Sequence, residues 1–322
     1  MATTTKLAGK ATIRAVRIHS FGGPDVLRFE DVQVPTPGND EMLVRVHAAG
    51  VNPVDWKIRE GLLGQGPLPQ FMGSDFSGVV EALGPGVKDF RVGEAVFGIV
   101  AEESGSYAEF ATAPEPRVAR KPDALDDVQA AALPIASLTA WQALFDAAQL
   151  QAGQRILIHA AAGGVGGFAV QFARWKGAHV IGTASAESAG FVRQLGASEV
   201  VDYRSTKFED AVNEIDVVLD TIGGDTQARS WKVLRRGGIL VSIVGPPSEE
   251  KAAAQGARGV FLISKPRGDQ LARIADLIVS GQVKITVEKV LPLREARQAQ
   301  ELSQSGHAHG KIVLVTDALE NR

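Results

Sequence analysis

The 322-residue sequence contains no cysteine. That absence excludes disulfides, thiol nucleophiles and cysteine-ligated zinc together. No apolar run approaches the ~20 residues that a helical bilayer span requires, so no membrane segment is expected. Acids and bases nearly balance, 37 against 34, for a net charge of −3. Bulk charge therefore gives no reason to expect nucleic acid or an anionic membrane as partner. Internal repeats and low-complexity segments are missing as well. What remains, 45% hydrophobic and 22% charged, is ordinary globular composition, and the length favours two domains. The opening MATTTKLAGKATIR lacks an acid but also an apolar core. Residues 1–12 are thus read as a flexible tail, and a cytoplasmic protein is expected.

The first third carries short, partly alternating apolar runs, among them IRAVRIH, EMLVRVHAAGV, FSGVVEALG and EAVFGIV, separated by FGGPD, PTPGND and LGPGV. Turn signals at that spacing predict a small irregular barrel or sandwich. A helical stretch interrupted by Pro134 follows from about position 126. The texture then alternates: RILIHA, HVIGTAS, EVVDY, DVVLDTIG and GILVSIVG as strands, with VGGFAVQFARWKG, SAGFVRQLG, FEDAV and ARSWKVLRRGG as helices between them. Such alternation means βαβ units in a doubly wound parallel sheet. A further helix, RGDQLARIADLIVSG, leads back to β-rich sequence ending in GKIVLVTD. The expectation is an α/β protein with a Rossmann domain at 138–283, inserted into a β-rich domain formed by 13–137 and completed by 284–318.

In RILIHAAAGGVGG a strand runs directly into glycines and then into an amphipathic helix. This is the context of a dinucleotide fingerprint, here spaced A-x-x-G-x-x-G by Ala160, Gly163 and Gly166. The turn and helix start, Ala162, Gly163, Gly164, Val165 and Gly166, are expected to offer backbone N–H groups to a pyrophosphate. The next strand ends in Thr183, Ala184 and Ser185, without the acid that an NAD ribose usually meets. Hydroxyls of Thr183 and Ser185, with Tyr203 and Arg204 from the following strand, suit a 2′-phosphate instead. Glu187 stands two residues further on, either as a solvated helix-start acid or in opposition to that phosphate. NADPH is expected, with NADH possible. Ile222 and Val244 end strands at the carboxyl edge, where ligands collect in such sheets, and belong to the expected cofactor site.

FGGPDVLRFEDV, AAGVNPVDWKIREG, GSDFSGVVEALGPGV, AALPIASLTAWQAL, HAAAGGVGG, LGASEVVDY and HGKIVL, in this order, resemble the zinc-free, zeta-crystallin-like quinone oxidoreductases of the medium-chain dehydrogenase/reductase superfamily. The resemblance runs from about position 14 to 315. It implies a GroES-like catalytic domain, an active site in the cleft between the domains, and a homodimer. It also implies substrate-site roles for Asn52, as an amide donor, and Lys57, as a cation for an enolate or for the nicotinamide ribose. On spacing alone Asn52 reads as a turn residue before Pro53 and Lys57 as a solvated helix charge. Thr139 falls where the family approaches the nicotinamide. Phe261 and Ile263 either line that pocket or pack at a dimer contact, and Lys311 either reaches the cofactor phosphates or is solvated. Asp55 is read as a brace of the loop, Tyr107 and Trp141 as core aromatics.

Zinc-dependent relatives hold their metal with a Cys and a His-Glu pair; the matching positions are Asn52, Ser74 and Asp75. His307 and His309 lie in a Gly-flanked segment that reads as a turn, so no zinc is expected. Hydride transfer to an electron-poor acceptor, a quinone or α,β-unsaturated carbonyl, is the chemistry this implies. Two alternatives stay open: an enoyl-thioester reductase, and a nucleotide-binding protein with little turnover, acting as a redox sensor or on RNA.

Overall fold

The computed structural model describes residues 12–306 and 308–320. Of the expected tail only Thr12 is described, opening the first strand; the rest of that segment and His307 lie outside the described residues. The chain divides into two compact units. One takes the residues up to Ile135, Pro266–Val279 and those from Ile285 on; the other takes Ala136–Lys265 and Ser280–Lys284. Among the described residues no helix is long and apolar enough to cross a membrane.

The first unit is built on the strand Glu41–Val51, buried along almost its whole length because it has partners on both sides and cover on both faces. It pairs antiparallel with Asp75–Leu83, Phe110–Pro114 and Lys311–Val315. The sheet continues through Ala95–Ile99 to Val118–Arg120 on one side and through Val287–Pro292 on the other. Pairing of Ile312 with Val51 sets the last strand beside the end of the central one, where the chain turns into Asn52. A separate three-stranded sheet joins Leu27–Gln33, Thr12–Ile18 and Gln70–Phe71. Met42, Val44, Val46, Phe76, Val80 and Val96 form one apolar core, and Val16, Ile18, Val51, Met72, Tyr107 and Leu314 belong to another.

The second unit carries a six-stranded, all-parallel sheet in the spatial order Glu199–Asp202, His179–Ala184, Arg155–Ile158, Ile215–Asp220, Leu234–Ser242, Arg258–Phe261. The order reverses between Arg155–Ile158 and Ile215–Asp220, which makes that edge the switch point of a doubly wound sheet. Leu157, Ile181, Val218, Trp231 and Leu240 pack in its core.

Two expectations about the elements need correction, and one element lies outside them. The helix Gly268–Val279, assigned by its position to the nucleotide unit, belongs to the first unit, where a Cβ on Gly268 would lie 2.2 Å from the carbonyl oxygen of Val118. LRRGG is not helical: the helix Gly224–Ser230 is followed by one tight turn, and Leu234 already pairs with Ile215 as strand. A helix at Glu249–Gln255 was not anticipated; it is short, and Ser248 caps it by accepting the N–H of Lys251.

Candidate functional site

The strand Arg155–Ile158 delivers the chain to a tight turn in which Ala160 adopts φ +47° and its carbonyl accepts the N–H of Gly163. Gly163 then caps the helix Gly164–Lys176. A Cβ on Gly166 would lie 2.2 Å from the Ala160 carbonyl oxygen, so only glycine lets the helix start press against the turn. The first N–H groups of this 13-residue helix have no carbonyl ahead of them and carry the positive end of its dipole. Gly163 and its neighbours are thus built to receive an anion at the carboxyl edge of the sheet.

Beneath the turn lies a residue the sequence reading passed over. His159 is buried, with Phe208 edge-on at 4.7 Å between ring centres. Its Nε2 is 2.9 Å from Ser230 Oγ, and that hydroxyl donates to Thr226 O; Nε2 is therefore the protonated nitrogen. Its Nδ1 then accepts from Thr183 Oγ1 at 3.2 Å, while Thr183 accepts the Ala160 N–H. This corrects the place of Thr183: it is buried under the cradle and its hydroxyl is used there, not on a 2′-phosphate. Burial pushes the imidazole pKa down to about 4; Arg229 adds to this and Asp220 opposes it. A His kept neutral in the fold contributes stability that is complete above its ordinary 6.5 and lost as pH falls towards 4. The loss from this residue is expected to reach about 3 kcal/mol at pH 4. Urea titrations at pH 7 and 4 on wild type and His159→Gln measure it: the variant should lose less on acidification, and parallel losses would remove His159 from the account.

At the neighbouring strand ends, Ser185 caps the helix Ala186–Leu195 and its Oγ lies 3.1 Å from Ser188 Oγ. Tyr203 is exposed beside Arg204, whose Nη1 donates to both carboxylate oxygens of Glu187 at 3.1–3.2 Å.

Across the switch point the wall is fixed by Asp220, fully buried at the end of Ile215–Asp220. Its Oδ1 accepts the N–H groups of Ile222 and Gly223, and its Oδ2 accepts from Gln227 Nε2 and Ser242 Oγ. Ser242 Oγ also accepts the Val244 N–H, so one carboxylate braces both turns that carry Ile222 and Val244. The signal was an acid closing the apolar run DVVLD before TIGG. Thr139 is buried and donates to Ser264 Oγ at 2.9 Å. Gln142 binds Lys265 twice, amide to main-chain carbonyl and main-chain N–H to amide, at 2.8 Å each. These bonds bring Thr139 together with the segment holding Phe261 and Ile263, which are 42% and 74% exposed.

In the first unit, Asn52 opens the helix Pro53–Arg59. The helix is held by Arg59, fully buried, which donates to Gly22 O and to Gln300 Oε1. Lys57 on this helix is half-buried, its Nζ 5.6 Å from the Trp56 ring centre. Asn52 itself is buried: Nδ2 donates to Asp75 Oδ2 at 2.8 Å and Oδ1 accepts from Lys311 Nζ. That corrects its expected role, because the amide braces the loop from within. Lys311 is corrected too: it is buried and donates to Val51 O as well, far from the solvent a phosphate ligand would need. Asp55 accepts from the Asn52 N–H and from Tyr107 Oη, at 2.8 Å each, as a brace. Burial raises the carboxyl pKa values to about 6 at Asp55 and about 7 at Asp75, against the pull of Lys311, whose own pKa burial lowers. An amide and a buried ammonium do not fit zinc, and among the described residues no group of three or more His, Asp or Glu is placed to hold a metal.

A β-rich unit joined in one chain to a doubly wound unit with a glycine cradle at its switch point defines the medium-chain dehydrogenase/reductase class. Residues 38–123 match the alcohol dehydrogenase GroES-like domain and residues 195–314 the zinc-binding dehydrogenase domain. The chain is 37% identical to a quinone oxidoreductase of Rattus norvegicus over 95% of its own length and 99% of the relative's. It is 36% identical to an NADPH-dependent alkenal/one oxidoreductase, chloroplastic, of Arabidopsis thaliana, covering 91% of this chain and 77% of that one. The Escherichia coli quinone oxidoreductase complexed with NADPH superposes with a TM-score of 0.88 at 29% identity, covering 94% and 99%. The chain belongs to the quinone oxidoreductase family.

Proposed function

We propose that the protein reduces quinones and α,β-unsaturated carbonyls with NADPH, without zinc, working in the cytoplasm as a homodimer. The observation that carries the reading is the cradle around Gly163 and Gly166, set at the switch point of a parallel sheet whose second strand has no acid in its terminal Thr183, Ala184 and Ser185. NADPH bound there supplies a hydride from its nicotinamide. The N–H groups of Ala162, Gly164, Val165 and Gly166 hold the pyrophosphate, Gly163, whose own N–H goes to the Ala160 carbonyl, shapes the turn that aims them, and Ser185 and Tyr203 face the ribose with its 2′-phosphate. Ile222, Val244, Thr139, Phe261 and Ile263 line the nicotinamide end and keep water out. Lys57 offers its ammonium to the oxygen on which negative charge develops, and a proton from solvent completes the reduced product. The edge strand Arg258–Phe261, which has a sheet neighbour on one side only, supports pairing of two copies there.

Purified protein is mixed with NADPH or NADH and a naphthoquinone or a short enone, and oxidation of the reduced cofactor is followed. Faster loss with NADPH and turnover of either acceptor is the expected result; tight cofactor binding with neither acceptor reduced sinks the reading. Lys57→Met is expected to lower kcat about 10- to 100-fold. Its dissociation constant for NADPH should hold, and an unchanged kcat would return Lys57 to the status of a surface charge. Sedimentation velocity reports the dimer.

A further inference from the structure

The exposed group at the ends of the second and third strands of the nucleotide unit contains an acid that a 2′-phosphate site has no use for. Glu187 lies in the first turn of Ala186–Leu195, its side chain 70% exposed. Its carboxylate takes the Ser185 hydroxyl on one side and the Arg204 guanidinium, at 3.1–3.2 Å, on the other. Arg204 also leans over the Tyr203 ring, 5.8 Å from its centre. A carboxylate thus occupies a place within reach of a hydroxyl and a guanidinium together. The remaining acid here, Asp202, is satisfied by its own turn: it accepts the N–H groups of Arg204 and Ala186 and the hydroxyl of Ser205.

We infer that Glu187 is a displaceable stand-in for the cofactor's 2′-phosphate, and that Arg204 is the cation that receives the phosphate once Glu187 swings out. The inference rests on the NADPH reading above and adds to it the residues that set the preference. A phosphomonoester carries close to two negative charges and three acceptor oxygens, so it outbids a carboxylate for the same guanidinium. Glu187 is long and solvent-facing, and nothing in the core moves when it leaves. NADH presents no phosphate and leaves the pair closed. NADPH has to open the pair and face the freed carboxylate, which narrows the discrimination between the two cofactors. Arg204 therefore determines the preference for NADPH and Glu187 limits it.

The test uses the full-length protein and isothermal titration calorimetry with 2′,5′-ADP and 5′-AMP as fragments, then with NADPH and NADH. Arg204→Gln is expected to weaken 2′,5′-ADP about tenfold, as loss of a charge-assisted bond should, and to leave 5′-AMP unchanged. Glu187→Ala is expected to tighten 2′,5′-ADP about three- to tenfold, again sparing 5′-AMP. In the double variant that gain shrinks to what direct repulsion between carboxylate and phosphate accounts for, because most of the acid's effect runs through the arginine. Raising the salt concentration should shrink the gain. Equal changes for both fragments, or a gain as large in the double variant as in Glu187→Ala alone, overturn the inference. Failure of the wild type to bind any of the four nucleotides overturns the cofactor reading itself. Binding of NADPH with no selective loss in Arg204→Gln overturns only the part played by this pair.

Discussion

Lys311→Met is expected to destabilise the protein by about 3–5 kcal/mol at pH 8, the usual consequence of removing one partner from a buried charge cluster. Lys311 is the cation beside Asp75 and Asp55, and it also closes the Oδ1 of Asn52 and the carbonyl of Val51. Without it both carboxylates stay buried and lose the attraction that now opposes their burial. Their folded-state pKa values, already about 6 and 7 against an ordinary 3.8, rise further. A carboxyl whose pKa is raised by folding favours the fold while protonated, and that stability is lost as pH climbs through the folded value. The deficit of the variant should accordingly shrink between pH 8 and pH 5.5. Asp75→Asn in the same chain should restore part of it, since an amide needs no counter-charge. Urea titrations at the two pH values on the single and double variants measure this. A deficit that is constant with pH would mean that Lys311 matters through its aliphatic packing and not its charge.

The second large effect is expected at Gly166. Valine there puts a Cβ against a backbone carbonyl at 2.2 Å, and neither the turn at Ala160 nor the helix behind it can give way cheaply. The helix start has to move off the turn, at a cost of about 1–3 kcal/mol for a forced shift in a packed interior. The larger consequence is functional, because N–H groups displaced by an ångström no longer converge on one anion. Dinucleotide affinity should fall by at least about tenfold for NADPH and NADH alike, the equivalent of losing one charge-assisted bond. Gly163→Ala is the control: the added Cβ meets its nearest atom at 3.4 Å, in ordinary contact, and the backbone has no positive φ to protect. Affinity close to wild type in Gly166→Val would show that the cradle does not depend on this approach.

Local pattern carried much of this into the sequence. The alternation of strands and helices after 154 and the glycines of HAAAGGVGG are signals that span only a few residues, and they describe the parallel sheet and its cradle directly. What stayed hidden depends on residues far apart in the chain. Lys311 begins an apolar strand and reads as a solvated end; its burial follows from a partner 259 positions earlier. Thr183 sits near a strand tip, but this sheet is covered on both faces, so alternation does not say that its hydroxyl turns inward to His159. The helix Gly268–Val279 has the same amphipathic pattern wherever it packs, and only the close approach of Gly268 to Val118 decides for the first unit. Asp220 was visible as a letter and silent as a role, since its four bonds go to groups that only the folded turns bring within reach.

The pairing of Lys311–Val315 with the central strand also has a consequence in time. The nucleotide unit is nearly contiguous, and by the time residue 284 has left the ribosome all of its strands exist. The β-rich unit begins first and finishes last: Asn52 waits, without its cation, until 259 later residues have been made, and Asp75 waits nearly as long. During synthesis the β-rich half is thus an open sheet missing its last strand, while the half behind it in the chain is already complete. Chaperone demand should fall on the amino-terminal half, although it is translated first.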